Sequence, residues 1–188
     1  HNIFSPEDAE KMLAEGNADF VALGRSQLAE PAWAKKAKEG RASDIKPCIN
    51  CLIGCIDRGM LSHTPIHCTV NPSLYRFECK PVEKAETRKQ VAVVGAGPAG
   101  CEAALTASKR GHQVTIYEKR CIGGAMIEAS KPENKANIKR LIHYYEDHIM
   151  HDPNITLVKE EVEYETLVHS GYDAVIIAVG GKTRILNV

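Results

Sequence analysis

A glycine-rich loop between an apolar strand and a helix constrains the fold of this chain more than any other feature. Residues 95–100 read GAGPAG, follow the apolar run 91–94 and open a predicted helix over residues 98–110. Glu118 ends the next predicted strand, 23 residues after the first glycine of the loop. This order of strand, G-x-G-x-x-G loop, helix, strand and acid predicts a βαβ unit that binds a dinucleotide.

Each glycine of this loop has a physical role in such a unit. Gly95 permits the tight turn, Gly97 lets the backbone approach a pyrophosphate, and Gly100 allows the helix to pack closely on the strand. Glu118 is expected to accept hydrogen bonds from ribose hydroxyls and to repel a 2′-phosphate, which disfavours NADP but does not distinguish FAD from NAD. The alternative is an ordinary glycine-rich turn with a surface acid. The predicted cofactor-binding residues are Gly95, Ala96, Gly97, Pro98, Ala99, Gly100, Glu118 and Lys119.

Four of the seven cysteines, Cys48, Cys51, Cys55 and Cys68, fall within 21 residues. They lie in a segment, residues 48–79, that shows neither a helix nor a strand period and is predicted to be a loop without regular structure. Secreted disulfide scaffolds spread cysteines through a short chain, so a local cluster in a longer, apolar chain indicates a metal site. Three closely spaced cysteines with a remote fourth favour a 4Fe-4S cluster, because structural zinc sites prefer two paired knuckles. Zinc and metal-free buried thiols are the alternatives, and Cys79 is an alternative to Cys68 as the fourth ligand.

The first 47 residues alternate helix and strand signals. Residues 5–16 predict a helix that a Ser-Pro pair begins and a glycine ends. Residues 20–23 predict a buried parallel strand, followed by Gly24 and Arg25 where parallel α/β folds bind ligands. A phosphate site there competes with an ordinary surface arginine. The other predicted elements are helices over residues 31–39 and 134–150 and strands over residues 113–117, 155–158 and 174–178.

Composition excludes several functional classes. The 24 Lys and Arg residues balance 24 Asp and Glu residues, so no net charge draws the chain to nucleic acid. With 44% apolar and 26% charged residues the composition is that of a globular protein and not of a disordered one. The chain shows neither a membrane-spanning apolar run nor a signal sequence, so we expect a cytoplasmic protein that makes no membrane contact.

These features stand in an order that resembles a known family. The segments ADFVALGR (18–25) and EPAW (30–33), the cysteine cluster ending in Asn71-Pro72, and residues 91–100 are similar to the 2,4-dienoyl-CoA reductase and 2-enoate reductase branch of the old yellow enzyme family. That branch also includes trimethylamine dehydrogenase. Its members are multidomain flavoproteins with an FMN-bearing (β/α)8 barrel, a 4Fe-4S cluster and a dinucleotide-binding domain pair. The resemblance covers almost the whole chain.

The resemblance implies an α/β chain of four segments. These are the C-terminal end of an FMN-type TIM barrel (1–47), an iron–sulfur segment (48–79), a linker (80–89) and part of a Rossmann-like FAD/NAD(P)-binding domain (90–188). It assigns the FMN phosphate to Gly24 and Arg25, the cluster to the four cysteines, and FAD to the glycine loop. Two further glycines, Gly123 and Gly124, match the pair that follows this loop in flavin-binding relatives, whereas Val179 replaces a threonine of the family's Ala-Thr-Gly signature.

The resemblance also implies that the protein takes part in electron transfer. An NAD(P)H-dependent oxidoreductase of this kind passes electrons through FAD and a 4Fe-4S cluster to FMN and reduces the activated C=C bond of a small unsaturated substrate. A barrel needs about 250 residues, so we expect an internal fragment that is inactive alone and has the remainder of its own chain as a partner. A homo-oligomer is compatible with this prediction, but the sequence does not specify the oligomeric state. The alternatives are an amine dehydrogenase like trimethylamine dehydrogenase, with a structural ADP, and a non-catalytic nucleotide-binding module in which zinc bound to the four cysteines stabilises the loop (the zinc-stabilised module).

Overall fold

The computed structural model describes residues 3–74 and 82–181. The chain divides into two compact units, His1–Lys80 with Ser130–Tyr144, and Pro81–Ala129 with Tyr145–Val188. Cys79, the alternative fourth ligand, lies outside the described residues. The segment boundaries expected from the sequence stay predictions.

The first unit begins with three helices, α1 (Pro6–Ala14), α2 (Arg25–Ala29) and α3 (Trp33–Lys38). The predicted cap of α1 is present, since the Ser5 hydroxyl accepts a hydrogen bond from the Asp8 backbone N–H at 3.2 Å and the Asp8 carboxylate accepts one from the Ser5 N–H at 3.0 Å. α1 is followed by Gly16 in the left-handed conformation (φ 68°), as its sequence predicts.

Two sequence predictions for this unit are wrong. Residues 20–23 do not form a strand, because none of the described residues offers them a paired backbone; Phe20 is 90% exposed, and Val21 and Leu23 pack on a small core of Ala9, Trp33 and Ile45. The cysteine segment, expected to lack regular structure, contains a π-helix over Ile53–Leu61. π-Helices are rare and are frequently found at functional sites.

The second unit is built on a four-stranded parallel sheet. Its strands are β1 (Gln90–Val94), β2 (Gln113–Tyr117), β3 (Ile155–Val158) and β4 (Ala174–Ile177), in the spatial order β3-β2-β1-β4. The register places Val94 beside Tyr117 and Ile177, so the carboxyl ends of the strands lie along one edge. This is the arrangement in which α/β proteins bind nucleotides. Each predicted strand of this unit agrees with the observed one to within one residue.

One helix packs closely on this sheet. α4 (Pro98–Lys109) follows β1 directly, and its Cys101 and Ala104 are completely buried, as are Val114 and Ile116 of the sheet.

The long predicted helix is observed as α6 (Ala136–His151), after a 3-10 turn over Glu133–Lys135. Two short helices, α5 (Met126–Ala129) and α7 (Tyr164–His169), were not predicted. None of the helices in the described ranges combines the length and apolar character that a bilayer crossing requires.

The burial of β2 predicts a large difference between two isoleucines of the sheet. Ile116 is fully buried, whereas Ile177 on β4 is 65% exposed. We expect Ile116→Ala to lower the free energy of unfolding by about 2–5 kcal/mol and Ile177→Ala to change it by less than about 1 kcal/mol. Urea denaturation followed by circular dichroism measures both values. Equal losses for the two variants would contradict the sheet as described.

Candidate cofactor-binding sites

The glycine loop of the second unit is packed so closely that two of its glycines have no room for a side chain. Gly95 has φ 100°, and a Cβ there would lie 2.5 Å from the carbonyl oxygen of Ala178. A Cβ on Gly100 would overlap the carbonyl oxygen of Gly95. The turn after β1 and the start of α4 therefore touch through their backbones, as the G-x-G-x-x-G pattern predicts.

Gly97 differs from these two glycines, because the protein itself does not require a glycine there. It precedes α4 with an ordinary φ of −72°, and among the described residues no atom beyond its chain neighbours lies within 4 Å of the position of an added Cβ. Gly97 is the N-cap of a twelve-residue helix, whose N-terminal N–H groups and dipole attract phosphate. The space fits the close approach of a pyrophosphate to the backbone.

Glu118 contacts the loop directly. Its carboxylate accepts hydrogen bonds from the backbone N–H of Ala96 through Oε2 at 2.8 Å and from the N–H of Arg120 through Oε1 at 2.8 Å. The sequence pattern predicts a ribose acceptor but not this bond to the loop. Since a carboxylate has about four acceptor positions, both roles fit one side chain.

The glycine pair after β2 packs on the same loop. Gly123 donates a backbone hydrogen bond to the carbonyl oxygen of Ala96 at 2.8 Å. Gly124 has φ 52°, and a Cβ there would come within 2.9 Å of the Cα of Gly97. The structure thus brings Gly123 and Gly124 to the glycine loop, where the resemblance assigns them.

A pocket of about 360 Å³ lies at the carboxyl ends of the strands, next to the loop. Glu118, Glu160 and Glu161 give its wall an acidic character, and Lys119 forms an ion pair with Glu161 at 2.7 Å. Glu160 and Glu161 were not predicted, because only the pairing of β3 with β2 brings them to this edge. The lining residues are Val94, Gly95, Tyr117, Glu118, Lys119, Glu160, Glu161, Val162 and Val179.

Tyr117 lines this pocket as a neutral hydrogen-bonding group. Its hydroxyl lies 2.9 Å from that of Tyr172, and the two rings pack edge to face with centroids 6.4 Å apart. The hydrogen bond with Tyr172, together with burial, raises the pKa of Tyr117 to about 12. Tyr117 therefore adds no negative charge to the acidic wall at neutral pH.

The first unit brings the four predicted cysteine ligands together. Cys48, Cys51, Cys55 and Cys68 line one small cavity of about 20 Å³, with Arg25 in the same wall. Burial raises the pKa of the Cys48 thiol, and the positive charge of Arg25 partly opposes this shift. His67 also lines the cavity, although its spacing in the sequence is not that of a metal ligand and predicts an ordinary loop residue.

The local backbone explains how these cysteines meet. Asn50 (φ 56°) and Leu52 (φ 63°) adopt the left-handed conformation and turn the chain around the cavity. Gly54 then packs against the next segment, because a Cβ there would overlap the carbonyl oxygen of His67, and the His67 N–H donates to the Gly54 carbonyl at 2.8 Å. This contact joins the segment of Cys55 to that of Cys68.

The donor set of the cavity fits an iron–sulfur cluster. Four thiols are soft ligands of the kind that bind iron–sulfur clusters or zinc. Within residues 3–74 and 82–181, no group of three His, Cys, Asp or Glu side chains is placed to ligate a single metal ion. A cubane accepts one thiolate at each of four iron corners, so the number of cysteines at this cavity equals the number of ligands that such a cluster needs.

A second cavity of the first unit contains the predicted phosphate residues. It measures about 330 Å³ and is lined by Gly24 and Arg25, with Leu23, Ser26 and Ile56 among its walls. Gly24 has open space at the position of an added Cβ. Arg25 lines this cavity and the cysteine cavity, so one guanidinium borders both.

The two remaining described cysteines are in other surroundings. Cys101 is completely buried in α4, and burial raises its pKa to about 12, which makes the thiol unreactive at neutral pH. Cys121 is exposed, just before the glycine pair. Neither residue lines the cysteine cavity.

Comparison with known proteins places these features in a family. Residues 89–188 match the model of the pyridine nucleotide-disulphide oxidoreductases. The chain is 43% identical over 182 residues to an NADH oxidase from Thermoanaerobacter brockii, and 33% identical over 185 residues to a cinnamate reductase from Clostridium sporogenes. These alignments cover 96% and 97% of this chain and 28% of each relative.

A solved structure gives the same result. The chain matches 2-naphthoyl-CoA reductase, determined in complex with 2-naphthoyl-CoA, with a TM-score of 0.89 and 35% identity over 97% of this chain and 28% of that one. The predicted α/β class and the predicted resemblance to enoate and acyl-CoA reductases are confirmed. A family model that covers more than half of the chain, on a parallel sheet with the matching glycine loop, shows that the chain belongs to the pyridine nucleotide-disulphide oxidoreductase family.

Proposed function

We propose that this protein is an NAD(P)H-dependent flavin and iron–sulfur oxidoreductase that reduces an activated C=C bond. The observation that carries the proposal is the presence, in one chain, of a four-thiol cavity and a dinucleotide loop. The names of two relatives support the substrate class, since cinnamate and 2-naphthoyl-CoA both contain unsaturated carbon conjugated to a carbonyl group.

The second unit is proposed to hold the ADP half of FAD. Gly97 and the N-terminus of α4 would face the pyrophosphate, and Glu118 would accept hydrogen bonds from the ribose while it holds Ala96. The carboxylates of Glu118, Glu160 and Glu161 would repel a 2′-phosphate, which favours FAD, NAD or ADP over NADP at this loop.

The first unit is proposed to hold a 4Fe-4S cluster on Cys48, Cys51, Cys55 and Cys68 and the phosphate of FMN near Gly24 and Arg25. When bound, these groups would supply a path from NAD(P)H to the substrate, because flavins exchange hydride and the cluster carries single electrons. Arg25, which borders both cavities, would contribute positive charge to both sites.

The cysteine site predicts which thiols are needed for iron uptake. After anaerobic reconstitution with iron and sulfide, we expect about four iron atoms per chain and a visible absorption that dithionite bleaches. Cys55→Ser should lose most of this iron because it removes one corner ligand. Cys121→Ser is the matched control, with an exposed thiol outside the cavity, and should retain it. Iron and zinc are measured by inductively coupled plasma mass spectrometry.

Two outcomes would contradict the cysteine assignment. One is stoichiometric zinc in a colourless protein, which would favour the zinc-stabilised module. The other is an equal iron content in Cys55→Ser and in Cys121→Ser.

The glycine loop predicts that two similar substitutions act differently. Gly97→Ala places a methyl group in open space and should weaken ADP binding by about tenfold or more, without a change in melting temperature, because the pyrophosphate needs that space. Gly100→Ala should instead lower the melting temperature, since its methyl group would overlap the Gly95 carbonyl oxygen. Isothermal titration calorimetry and thermal denaturation measure the two effects. Unchanged ADP affinity in Gly97→Ala would refute the assigned site.

A further inference from the structure

A threonine hydroxyl contacts one of the four clustered sulfurs. The Oγ1 of Thr69 lies 2.8 Å from the Sγ of Cys51, 18 positions away in the sequence. Thr69 follows Cys68 and precedes Val70, which is 5% exposed. The next residue, Asn71, donates a hydrogen bond to the carbonyl oxygen of Leu28 at 2.9 Å. The backbone that follows Thr69 is therefore held in place, and the Thr69 hydroxyl lies against the sulfur of Cys51.

The direction of this hydrogen bond follows from the chemistry of a metal ligand. With a free thiol, either the sulfur or the hydroxyl can be the donor. A cysteine that ligates a metal is a thiolate and has no proton to donate. With a cluster bound, the Thr69 hydroxyl must therefore donate to the sulfur of Cys51.

The contacts of Cys48 and Cys55 differ in kind from the contact between Thr69 and Cys51. Cys48 is approached by a backbone N–H, that of Asn50, at 3.4 Å. The Sγ of Cys55 lies 3.9 Å from the carbonyl oxygen of Leu52. Both contacts involve backbone atoms that a substitution does not remove, whereas the contact to Cys51 depends on a side-chain hydroxyl.

We propose that Thr69 is a positioning residue that orients Cys51 and raises the reduction potential of the cluster held by the four cysteines. A hydrogen bond to a ligand sulfur stabilises the additional negative charge of the reduced cluster. The inference rests on the proposed function, because it requires the cysteine cavity to hold a cluster.

Redox titration of the reconstituted chain, followed by electron paramagnetic resonance, tests this role. Thr69→Val keeps the shape of the side chain and removes the hydroxyl. At a fixed potential, we expect it to lower the ratio of reduced to oxidised cluster by about threefold, the effect of one net hydrogen bond. Thr69→Ser keeps the hydroxyl and should titrate as the wild type does. Thr64→Val is the matched control, because the Thr64 hydroxyl donates to the carbonyl oxygen of Arg58, and no contact with a sulfur of the described cysteines is found for it.

The metal content separates failure of this inference from failure of the proposed function. A Thr69→Val variant with full iron and the wild-type potential would overturn the role of Thr69 alone, as would an equal shift in Thr69→Ser. Loss of iron in Thr69→Val but not in Thr69→Ser would support the orientation of Cys51 by the hydroxyl. A wild-type chain that takes up no iron would overturn both proposals.

Discussion

The second unit depends on one backbone contact, between the carbonyl of Gly95 and the Cα of Gly100. Because neither residue has a side chain, the turn after β1 stays tight and α4 starts directly against the sheet. Three other groups meet at this loop: Glu118 through the N–H of Ala96, Gly123 through the Ala96 carbonyl, and Gly124. The parallel strands supply the acidic pocket beside it. The nucleotide site therefore follows from the packing that folds the unit.

The first unit has a similar backbone contact beside its cysteine cavity. Gly54 allows its backbone to touch that of His67, and this contact joins the segments of Cys55 and Cys68. The cavity between the four thiols is small. Arg25 lines this cavity and also the second cavity of the unit, which contains Gly24. A cation shared by two neighbouring sites favours anionic groups in both. The proposed cluster and the proposed flavin phosphate are groups of this kind.

The sequence predicted the second unit better than the first, for physical reasons. The four strands are short apolar runs with clear ends, and each pairs with a strand of the same unit. Residues 20–23 have the same apolar pattern, but no described backbone pairs with them, and they are not a strand. The sequence over Ile53–Leu61 shows neither the period of a strand nor that of an α-helix, so its π-helix could not be predicted. Glu160 and Glu161 reach the pocket only through the register of the sheet, which no local pattern contains.

The four clustered cysteines are proposed to hold a four-iron cluster and not a single ion. Mössbauer spectroscopy of the chain reconstituted with 57Fe and sulfide tests it most directly, because the spectrum reports the nuclearity and valence of the iron. We expect the spectrum of a 4Fe-4S cluster with delocalised valence, and we expect a variant of any of the four cysteines to lose it. The spectrum of one iron ion in a tetrathiolate site would contradict it.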